Sequence, residues 1–300
     1  MKASIREKKY ELDGKAMKKI GYLGPEGTFT HQAAMEYGKG QPYLYVQCSS
    51  IPELIYKADS GELDEAVVPA ENALEGTVNI TMDMLVHEVD LKISGELILP
   101  IFHHLMARPG LKIEDLREIL SHPQALAQCR KFLNSRLRGI PTRAVASTAA
   151  AAKMASEPSS YYGAIGNIEA ASLYGLQILE EEIQDNDANS TRFIILSKRD
   201  RDMTGNDKTS IAFTVDHKPG GLYRALKSFA DNNINLTKIE SRPMKTLLGQ
   251  YLFLIDFEGH RQEDKIRAVL EELSSNSKYY KLLGSYPKFC SSAVEGTKDG

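Results

Sequence analysis

Short apolar strands alternate with helices along the first part of the chain, and this alternation limits the folds that the chain can form. The predicted elements are strands at 18–23, 43–47 and 66–69 and helices at 29–37, 51–58 and 79–87. Strands that alternate with helices are typical of α/β proteins, because the helices cover the faces of a sheet. We therefore predict an α/β fold here, arranged as two lobes with a cleft between them.

The alternation continues less regularly up to residue 196. The further predictions are an extended stretch at 97–106, helices at 113–120, 123–134, 148–154 and 168–174, and strands at 164–166 and 194–196. The segment 198–208 is charged and poor in apolar residues, which is typical of a linker between domains.

A different order of elements follows this linker. The predicted elements are strands at 209–215, 234–240, 250–257 and 287–290 and helices at 222–232 and 264–273. The order β-α-β-β-α-β predicts a ferredoxin-like unit. We predict four segments: a leader at 1–17, a two-lobed domain at 18–200, a ferredoxin-like domain at 208–289 and a polar tail at 290–300.

Composition excludes several classes of function. A net charge of −3 gives no basic field for nucleic acid. No apolar run reaches the length of about 18 residues that a membrane span needs, and the first residues lack the apolar middle of a signal peptide. Cys48, Cys129 and Cys290 are widely spaced and odd in number, which indicates free thiols in a reducing cytoplasm. No metal-ligand cluster and no P-loop is present.

The most informative polar stretch runs from Asn189 to Phe193, directly before the apolar run 194–196. The apolar run predicts a buried strand, so the polar residues lie at the mouth of a sheet, where α/β proteins gather ligand groups. An amide, hydroxyls and a guanidinium in this space suit an oxygen-rich, anionic small molecule. The turn at 24–28 offers glycine amides before a helix, which predicts a second anion-binding element.

Six motifs in order carry a family resemblance. They are Gly24-Pro25-Glu26-Gly27-Thr28-Phe29-Thr30, Val68-Pro69-Ala70-Glu71-Asn72 with Glu75-Gly76, Ser121-His122-Pro123-Gln124, Ser147-Thr148-Ala149, Asn189-Ser190-Thr191-Arg192-Phe193 and Glu240-Ser241-Arg242-Pro243. Together they resemble the stand-alone prephenate dehydratases, in which a regulatory ACT domain follows a dehydratase domain with a fold like that of periplasmic binding proteins. The resemblance implies conversion of prephenate to phenylpyruvate, CO2 and water in phenylalanine biosynthesis, without a metal or organic cofactor.

The resemblance also implies the site residues. The essential threonine corresponds to Thr191, which we expect to position the leaving oxygen and relay a proton. The predicted catalytic residues are Thr191, Asn72 and Gln124, and the predicted substrate-binding residues are Gly27, Thr28, Glu71, Ser147, Thr148, Arg192 and Phe193. Alternatives remain open: Arg192 braces the cleft through an internal ion pair, Glu71 is a structural carboxylate, and Phe193 packs in the core. For His122, packing is favoured over acid catalysis. Ala73 stands where relatives usually have serine.

The ACT region implies an effector site. Relatives bind phenylalanine at an interface between two subunits, which predicts contacts from Gly220, Gly221, Leu222, Glu240, Ser241, Arg242 and Pro243. We therefore expect inhibition by L-phenylalanine and a homodimer or homotetramer. Glycine at 221 departs from the alanine that relatives often have. We also expect a chain truncated from residue 206 to stay active and lose the phenylalanine response.

Two rival functions remain at this point. An arogenate dehydratase performs the same elimination on the amino-acid substrate, and the motifs hardly distinguish the two. A non-enzymatic amino-acid sensor with a two-lobed fold is the other, although a sensor has no need of Thr191, Asn72 and Gln124 together.

Overall fold

The structure, a computed structural model, describes residues 11–12, 15–216, 218–244 and 251–289. Most of the predicted leader, His217, the first residue of the predicted strand 250–257, and the predicted tail with Cys290 lie outside these residues. The chain divides into two compact units. The first unit comprises residues 1–67 and 99–191, and the second comprises 68–98 and 192–300.

The described residues form the strands and helices of a mixed α/β protein, which confirms the predicted fold class. The strands are β1 (Glu11–Leu12), β2 (Lys15–Ala16), β3 (Lys18–Leu23), β4 (Tyr43–Cys48), β5 (Glu65–Asn72), β6 (Gly76–Thr77), β7 (Lys92–Pro100), β8 (His104–Ala107), β9 (Glu118–Ser121), β10 (Thr142–Ala144), β11 (Tyr162–Gly166), β12 (Gln177–Glu180), β13 (Ser190–Ser197), β14 (Asp207–Thr214), β15 (Leu236–Pro243), β16 (Tyr251–Glu258) and β17 (Tyr280–Pro287). The helices are α1 (Phe29–Tyr37), α2 (Ile51–Ser60), α3 (Asn79–His87), α4 (Pro123–Gln128), α5 (Arg130–Arg136), α6 (Thr148–Ala155), α7 (Ile168–Leu173), α8 (Gly221–Asp231) and α9 (Asp264–Asn276).

The first unit contains parallel strands covered by helices. β3 pairs in parallel with β4 and with the start of β5. A separate five-stranded sheet has the order β10-β9-β11-β8-β12, in which β9, β10 and β11 are parallel and β8 and β12 are antiparallel to their neighbours. Leu105, Ile119 and Ile165 form part of the apolar cluster on this sheet.

Several predicted elements in the first unit are wrong. Residues 113–120 form a short 3-10 helix at Ile113–Asp115 and then β9, rather than one helix. Pairing with both β10 and β11 overrides the helical pattern of this segment. The predicted helix 123–134 is divided at Cys129 into α4 and α5, and β10 and β12 were not predicted.

The second unit contains the ferredoxin-like sheet, with the strand order β15-β16-β14-β17 and all described pairs antiparallel. Helices α8 and α9 cover one face, where Phe213, Phe229, Phe257 and Ile266 form a core. The predicted strand 287–290 is wrong, because β17 ends at Pro287. The same unit holds the later part of β5 beside β13 and β7, in that order.

Strand β14 is buried along its whole length, and its two faces differ in character. Ile211 and Phe213 point into the core under α8 and α9. Because side chains alternate along a strand, Lys208, Ser210 and Ala212 lie on the opposite face, and they are buried as well. Lys208 donates to Glu96 of β7, at 3.0 Å from Nζ to Oε2. The second face therefore packs on strand β7 of the same unit.

Two of the three cysteines, Cys48 and Cys129, are free and buried. Burial raises the pKa of Cys129 to about 12, with a smaller contribution from Asp185. Among the described residues, no group of three or more histidine, cysteine or acidic side chains has a metal-binding arrangement. In the same part of the chain, no helix has both the length and the apolar character required to cross a bilayer.

Candidate active site

Three parallel strands of the first unit end at the same edge of the five-stranded sheet. Register pairs Ser121 of β9 with Ala144 of β10, and Ala164 of β11 with Leu120 of β9. The chain leaves these strands into α4, α6 and α7. The carboxyl ends of parallel strands are the usual place for ligand groups. The predicted residues Gln124, Ser147 and Thr148 lie in the segments that follow these strand ends.

The Ser121–Gln124 motif positions one amide side chain. The Ser121 hydroxyl donates to the carbonyl of Ile165 at 2.7 Å, which fixes the strand end. His122 precedes α4, and its Nδ1 accepts from the backbone N–H of Gln124 at 3.3 Å, so His122 caps this helix. Gln124 is half-buried, and among the described residues its side-chain amide has no hydrogen-bond partner. Its amide is thus available to a ligand.

Ser147 and Thr148 begin helix α6 in different ways. The Ser147 hydroxyl accepts from the backbone N–H of Ala150 at 3.0 Å and caps the helix. The neighbouring Thr148 is buried, and its hydroxyl has no hydrogen-bond partner within the described part of the chain. Because the Ser147 hydroxyl is occupied as the helix cap, Thr148 is the stronger ligand candidate of the two.

The turn at 24–28 is held by its own contacts. The Thr28 hydroxyl donates to the carbonyl of Leu23 and accepts from the N–H of His31, which caps α1. The N–H of Gly27 donates to Nδ1 of His31 at 3.2 Å, and the N–H of Thr28 donates to Pro25. Gly27 has a φ of 84°, where glycine is favoured. These amides have partners, so anion binding here remains a prediction.

Helix α1 and the start of α7 are joined by amide and carboxylate groups. Gln32 of α1 donates to Glu169 at 2.8 Å and accepts from Asn167, the residue that caps α7. A Cβ on Gly27 would lie 3.4 Å from the Cα of Ala170. The Tyr174 hydroxyl donates to the carbonyl of Glu26 at 3.3 Å. The glycine turn is therefore packed directly on α7, a contact that the sequence did not indicate.

A cluster of buried amide groups fixes the start of β13. The side-chain amide of Asn189 donates to Oε1 of Gln128, at the end of α4, at 3.2 Å. The same oxygen lies 2.9 Å from Nε2 of His103. The N–H of His103 donates to Oε1 of Gln184 at 3.0 Å. These bonds tie the residue two positions before Thr191 to the helix that carries Gln124.

His103 is a further candidate site residue, and none of the sequence motifs includes it. It is buried, its ring stands edge-on to Phe29 with 5.6 Å between centroids, and its Nδ1 has no hydrogen-bond partner within the described residues. Burial lowers the pKa of His103, while the hydrogen bond with Gln128 acts in the opposite direction. The ring is therefore neutral at neutral pH. No sequence motif marks it, because its importance comes from packing between distant segments.

Thr191 and Arg192 are adjacent residues of β13, so their side chains leave the strand on opposite faces. Thr191 is half-buried, and Phe193 is buried, as the core-packing alternative requires. Arg192 belongs to the second unit, and its three guanidinium nitrogens all donate within that unit. Nε donates to Glu96 at 2.7 Å, Nη1 to Asp256 at 2.6 Å and Nη2 to the Tyr286 hydroxyl at 2.7 Å.

Arg192 thus forms internal ion pairs, as the alternative interpretation of this residue predicts. Burial disfavours its charged form, but Tyr286, Asp256 and Glu96 together hold the pKa of Arg192 above its ordinary value. Burial would likewise raise the pKa of Asp256, and Arg192 and the Ser210 hydrogen bond lower it. Both groups remain ionised, and substrate binding by Arg192 stays a prediction.

Glu71 and Asn72 end strand β5 in the second unit. The side-chain carbonyl of Asn72 accepts from the N–H groups of Leu74 and Glu75, at 3.0 and 3.2 Å, and organises the following turn. Glu71 accepts from Lys238 of β15 at 2.8 Å. This partner neutralises the carboxylate and supports the structural alternative for Glu71. The described contacts show no group that replaces a hydroxyl at Ala73.

The predicted effector residues lie on two elements of the ferredoxin-like unit. Gly220 has a φ of 76° and precedes α8, while a Cβ on Gly221 would lie 2.6 Å from the carbonyl oxygen of Asp216. Leu222 packs against the core of this unit. Glu240, Ser241, Arg242 and Pro243 all lie on β15, which is an edge strand of the sheet. The close approach of the Asp216 carbonyl therefore explains why this chain has glycine at position 221, where relatives often have alanine.

Comparison with known families gives two matches. The family model described as "Prephenate dehydratase" matches residues 20–201, and the ACT domain model matches residues 209–275. The chain belongs to the prephenate dehydratase family. Gln124, Thr148 and Thr191 all fall within the first match, and the predicted effector residues fall within the second.

Individual members of the prephenate dehydratase family align with nearly the whole chain. A bifunctional chorismate mutase/prephenate dehydratase of Aquifex aeolicus is 45% identical over 270 residues, which cover 90% of this chain and 74% of that protein. A prephenate dehydratase of Bacillus subtilis is 42% identical over 284 residues, covering 90% and 99%. The crystal structure of an Arthrobacter aurescens prephenate dehydratase in complex with L-Phe is 36% identical, with a TM-score of 0.81 and 90% of each chain covered.

Proposed function

We propose that this chain is a prephenate dehydratase that forms phenylpyruvate, CO2 and water and is inhibited by L-phenylalanine through its ACT domain. The observation that carries the proposal is the family match over residues 20–201. Within that match, Gln124 and Thr148 present unpartnered polar groups at the carboxyl edge of a parallel sheet. A dehydratase activity uses these groups to hold the oxygens of its substrate.

The reaction requires little chemistry from the protein. The ring carboxylate leaves as CO2, its electron pair enters the ring, and the C–O bond breaks as the ring becomes aromatic. The departing hydroxide takes up a proton and leaves as water. A donor placed at this oxygen lowers the barrier, because charge develops there in the transition state. We assign this place to the hydroxyl of Thr191, with Gln124 and Thr148 as anchors for carboxylate oxygens.

Three observations support regulation by L-phenylalanine. The ACT model matches residues 209–275, and the related Arthrobacter structure contains L-Phe. Gly220 and Gly221 lie at the start of helix α8, where the N–H of Gly221 donates to the carbonyl of Lys218 and the N–H groups that follow it in the first turn can receive a carboxylate. The edge strand β15 exposes Ile239 at 47%, and an open strand edge of this kind suits pairing with a second copy. We propose a homodimer or homotetramer, located in the cytoplasm.

The decisive experiment measures release of phenylpyruvate from prephenate, and of phenylalanine from arogenate, by the purified protein with and without L-phenylalanine. We expect turnover of prephenate to exceed that of arogenate, and L-phenylalanine to suppress it. Strong preference for arogenate would change the substrate assignment. Absence of both reactions would favour the alternative hypothesis that the protein is a non-enzymatic amino-acid sensor.

A variant pair tests the role of Thr191. We expect Thr191→Val to lower turnover by about 100- to 1,000-fold, the usual effect of removing one transition-state donor. The matched Thr191→Ser keeps a hydroxyl and should retain much of the activity. Near-normal turnover of the valine variant would remove Thr191 from the mechanism.

A further inference from the structure

Strand β15 divides the Glu240–Pro243 motif between two faces. Ser241 pairs with Phe253 and Ile239 with Ile255, and both partners belong to the core under α8. Because side chains alternate along a strand, Glu240 and Arg242 lie on the opposite face. Ser241 and Pro243 are exposed, whereas Glu240 and Arg242 are half-buried. Only one half of the motif therefore shares a face with the Gly220–Gly221 turn.

The other two residues of the motif, Glu240 and Arg242, form hydrogen bonds with residues in and around β6 and α3 of the same unit. Oε2 of Glu240 accepts from the Thr77 hydroxyl at 2.6 Å, and its Oε1 accepts from Nε of Arg242 at 2.8 Å. Nη1 of Arg242 donates to Asp83 at 2.7 Å, and Nη2 donates to the side chain of Asn79 at 2.6 Å. The side chain of Arg242 is 11% exposed. Each functional group of the two side chains has a partner.

Charge makes this contact specific. Burial would raise the pKa of Glu240, but hydrogen bonds from Thr77 and Arg242 and the charge of Arg242 hold it below its ordinary value. Glu240 therefore stays ionised beside Arg242 and Lys238. A ligand that took these two side chains as partners would first have to break four charge-assisted hydrogen bonds, which are the strong class in proteins.

Thr77, which donates to Glu240, is connected to the end of β5, where Asn72 lies. Thr77 lies on β6, which pairs with the end of β5, so that Thr77 is opposite Glu71 and Gly76 is opposite Asn72. Lys238 of β15 donates to both Glu71 and Thr77, at 2.8 and 3.0 Å. A movement of β15 is thus transferred through a short hairpin to a predicted substrate ligand.

We propose that Glu240 and Arg242 transmit the effector signal and do not bind the effector. In this assignment, which rests on the proposed function, L-phenylalanine contacts the face that carries Ser241 and the Gly220–Gly221 turn. On the opposite face, Glu240 and Arg242 form hydrogen bonds with Thr77, Asn79 and Asp83. These bonds set the position of the β5–β6 hairpin. The effector changes activity because the two faces belong to one strand and move together.

The test separates binding of L-phenylalanine from the response to it. Binding is measured by titration calorimetry, and the response by inhibition of phenylpyruvate release. For Asp83→Asn and Thr77→Val we expect binding within about 3-fold of the wild type and an inhibition midpoint shifted by about 10-fold or more, a typical size for coupling between sites. Arg242→Met should behave in the same way. Asp90→Asn, whose side chain is 89% exposed, is the matched control and should leave both measurements unchanged.

Two results overturn the inference alone. One is loss of L-phenylalanine binding in Arg242→Met while Asp83→Asn binds normally, since Arg242 would then be a ligand. The other is an unchanged inhibition curve in both Asp83→Asn and Thr77→Val. A wild-type protein that turns over prephenate without binding L-phenylalanine would instead refute the regulatory part of the proposed function, and this inference with it.

Discussion

The buried charge cluster around Arg192 gives the sharpest prediction. Arg192 and Lys208 supply two positive charges, and Glu96 and Asp256 supply two negative charges. Asp256 accepts from Arg192 and from Ser210, each at 2.6 Å. Asp256→Asn keeps the shape of the side chain but leaves one buried positive charge without a counter-charge. Breaking a buried pair on one side costs about 3–5 kcal/mol of unfolding free energy.

The measurement follows unfolding in urea by far-ultraviolet circular dichroism, because the chain contains no tryptophan. The control is Glu258→Gln on the same strand, whose carboxylate side chain is 39% exposed and should contribute within about 0.5 kcal/mol. We also expect Asp256→Asn to lower kcat with little change in KM, because Arg192 fixes the strand position next to Thr191. A stability loss below about 1 kcal/mol would refute the assumption that this cluster is dry and fully paired.

The remaining predictions concern packing, pH and truncation. Gly284→Ala should destabilise by about 3 kcal/mol or prevent folding, because the new Cβ would lie 2.2 Å from the carbonyl oxygen of Ile93; a thermal melt measures it. The lowered pKa of His103 means that only the unfolded chain gains a proton as pH falls below about 6.5, so stability should fall with pH. That slope should be shallower in His103→Gln when urea midpoints are compared between pH 7 and 5, and an unchanged slope would contradict this cause. The sequence predicts that a chain truncated from residue 206 stays active, but the structure favours a different outcome. Truncation removes Asp256 and Lys208, the partners of Arg192 and Glu96, and should therefore reduce both solubility and activity; a soluble, fully active fragment would show that Arg192 and Glu96 do not need these partners.

Much of the fold followed from local patterns, because the helices predicted at 29–37 and 51–58 are present as α1 and α2. Strand β9 could not be predicted in this way, because its apolar pattern is also compatible with a helix. Only its pairing with β10 and β11 makes it a strand. His103 and Gln128 escaped notice for a related reason. Their bonds to each other and to Asn189 join residues far apart in the chain, and no short motif encodes such a contact.

The division of the Glu240–Pro243 motif could have been derived from the sequence. The strand predicted at 234–240 continues into the motif, and a period of two then places Glu240 and Arg242 opposite Ser241 and Pro243. The family resemblance assigns all four residues to one effector site, because relatives share the motif as a contiguous segment. The period of two along β15 nevertheless places these contiguous residues on two different faces of the sheet.

The second face of the ferredoxin-like sheet shows the limit of such reasoning. Lys208, Ser210 and Asp256 are polar residues on one face of the sheet, and the opposite face carries Ile211, Phe213, Ile255 and Phe257, which is the pattern of a sheet with one face in water. In the structure these polar side chains are buried against Glu96 and Arg192, so the face is a polar interface rather than a surface. Buried charges survive only when paired, and here the partners come from β7 and β13. The ACT sheet is therefore part of the support for the strand that begins with Ser190 and Thr191.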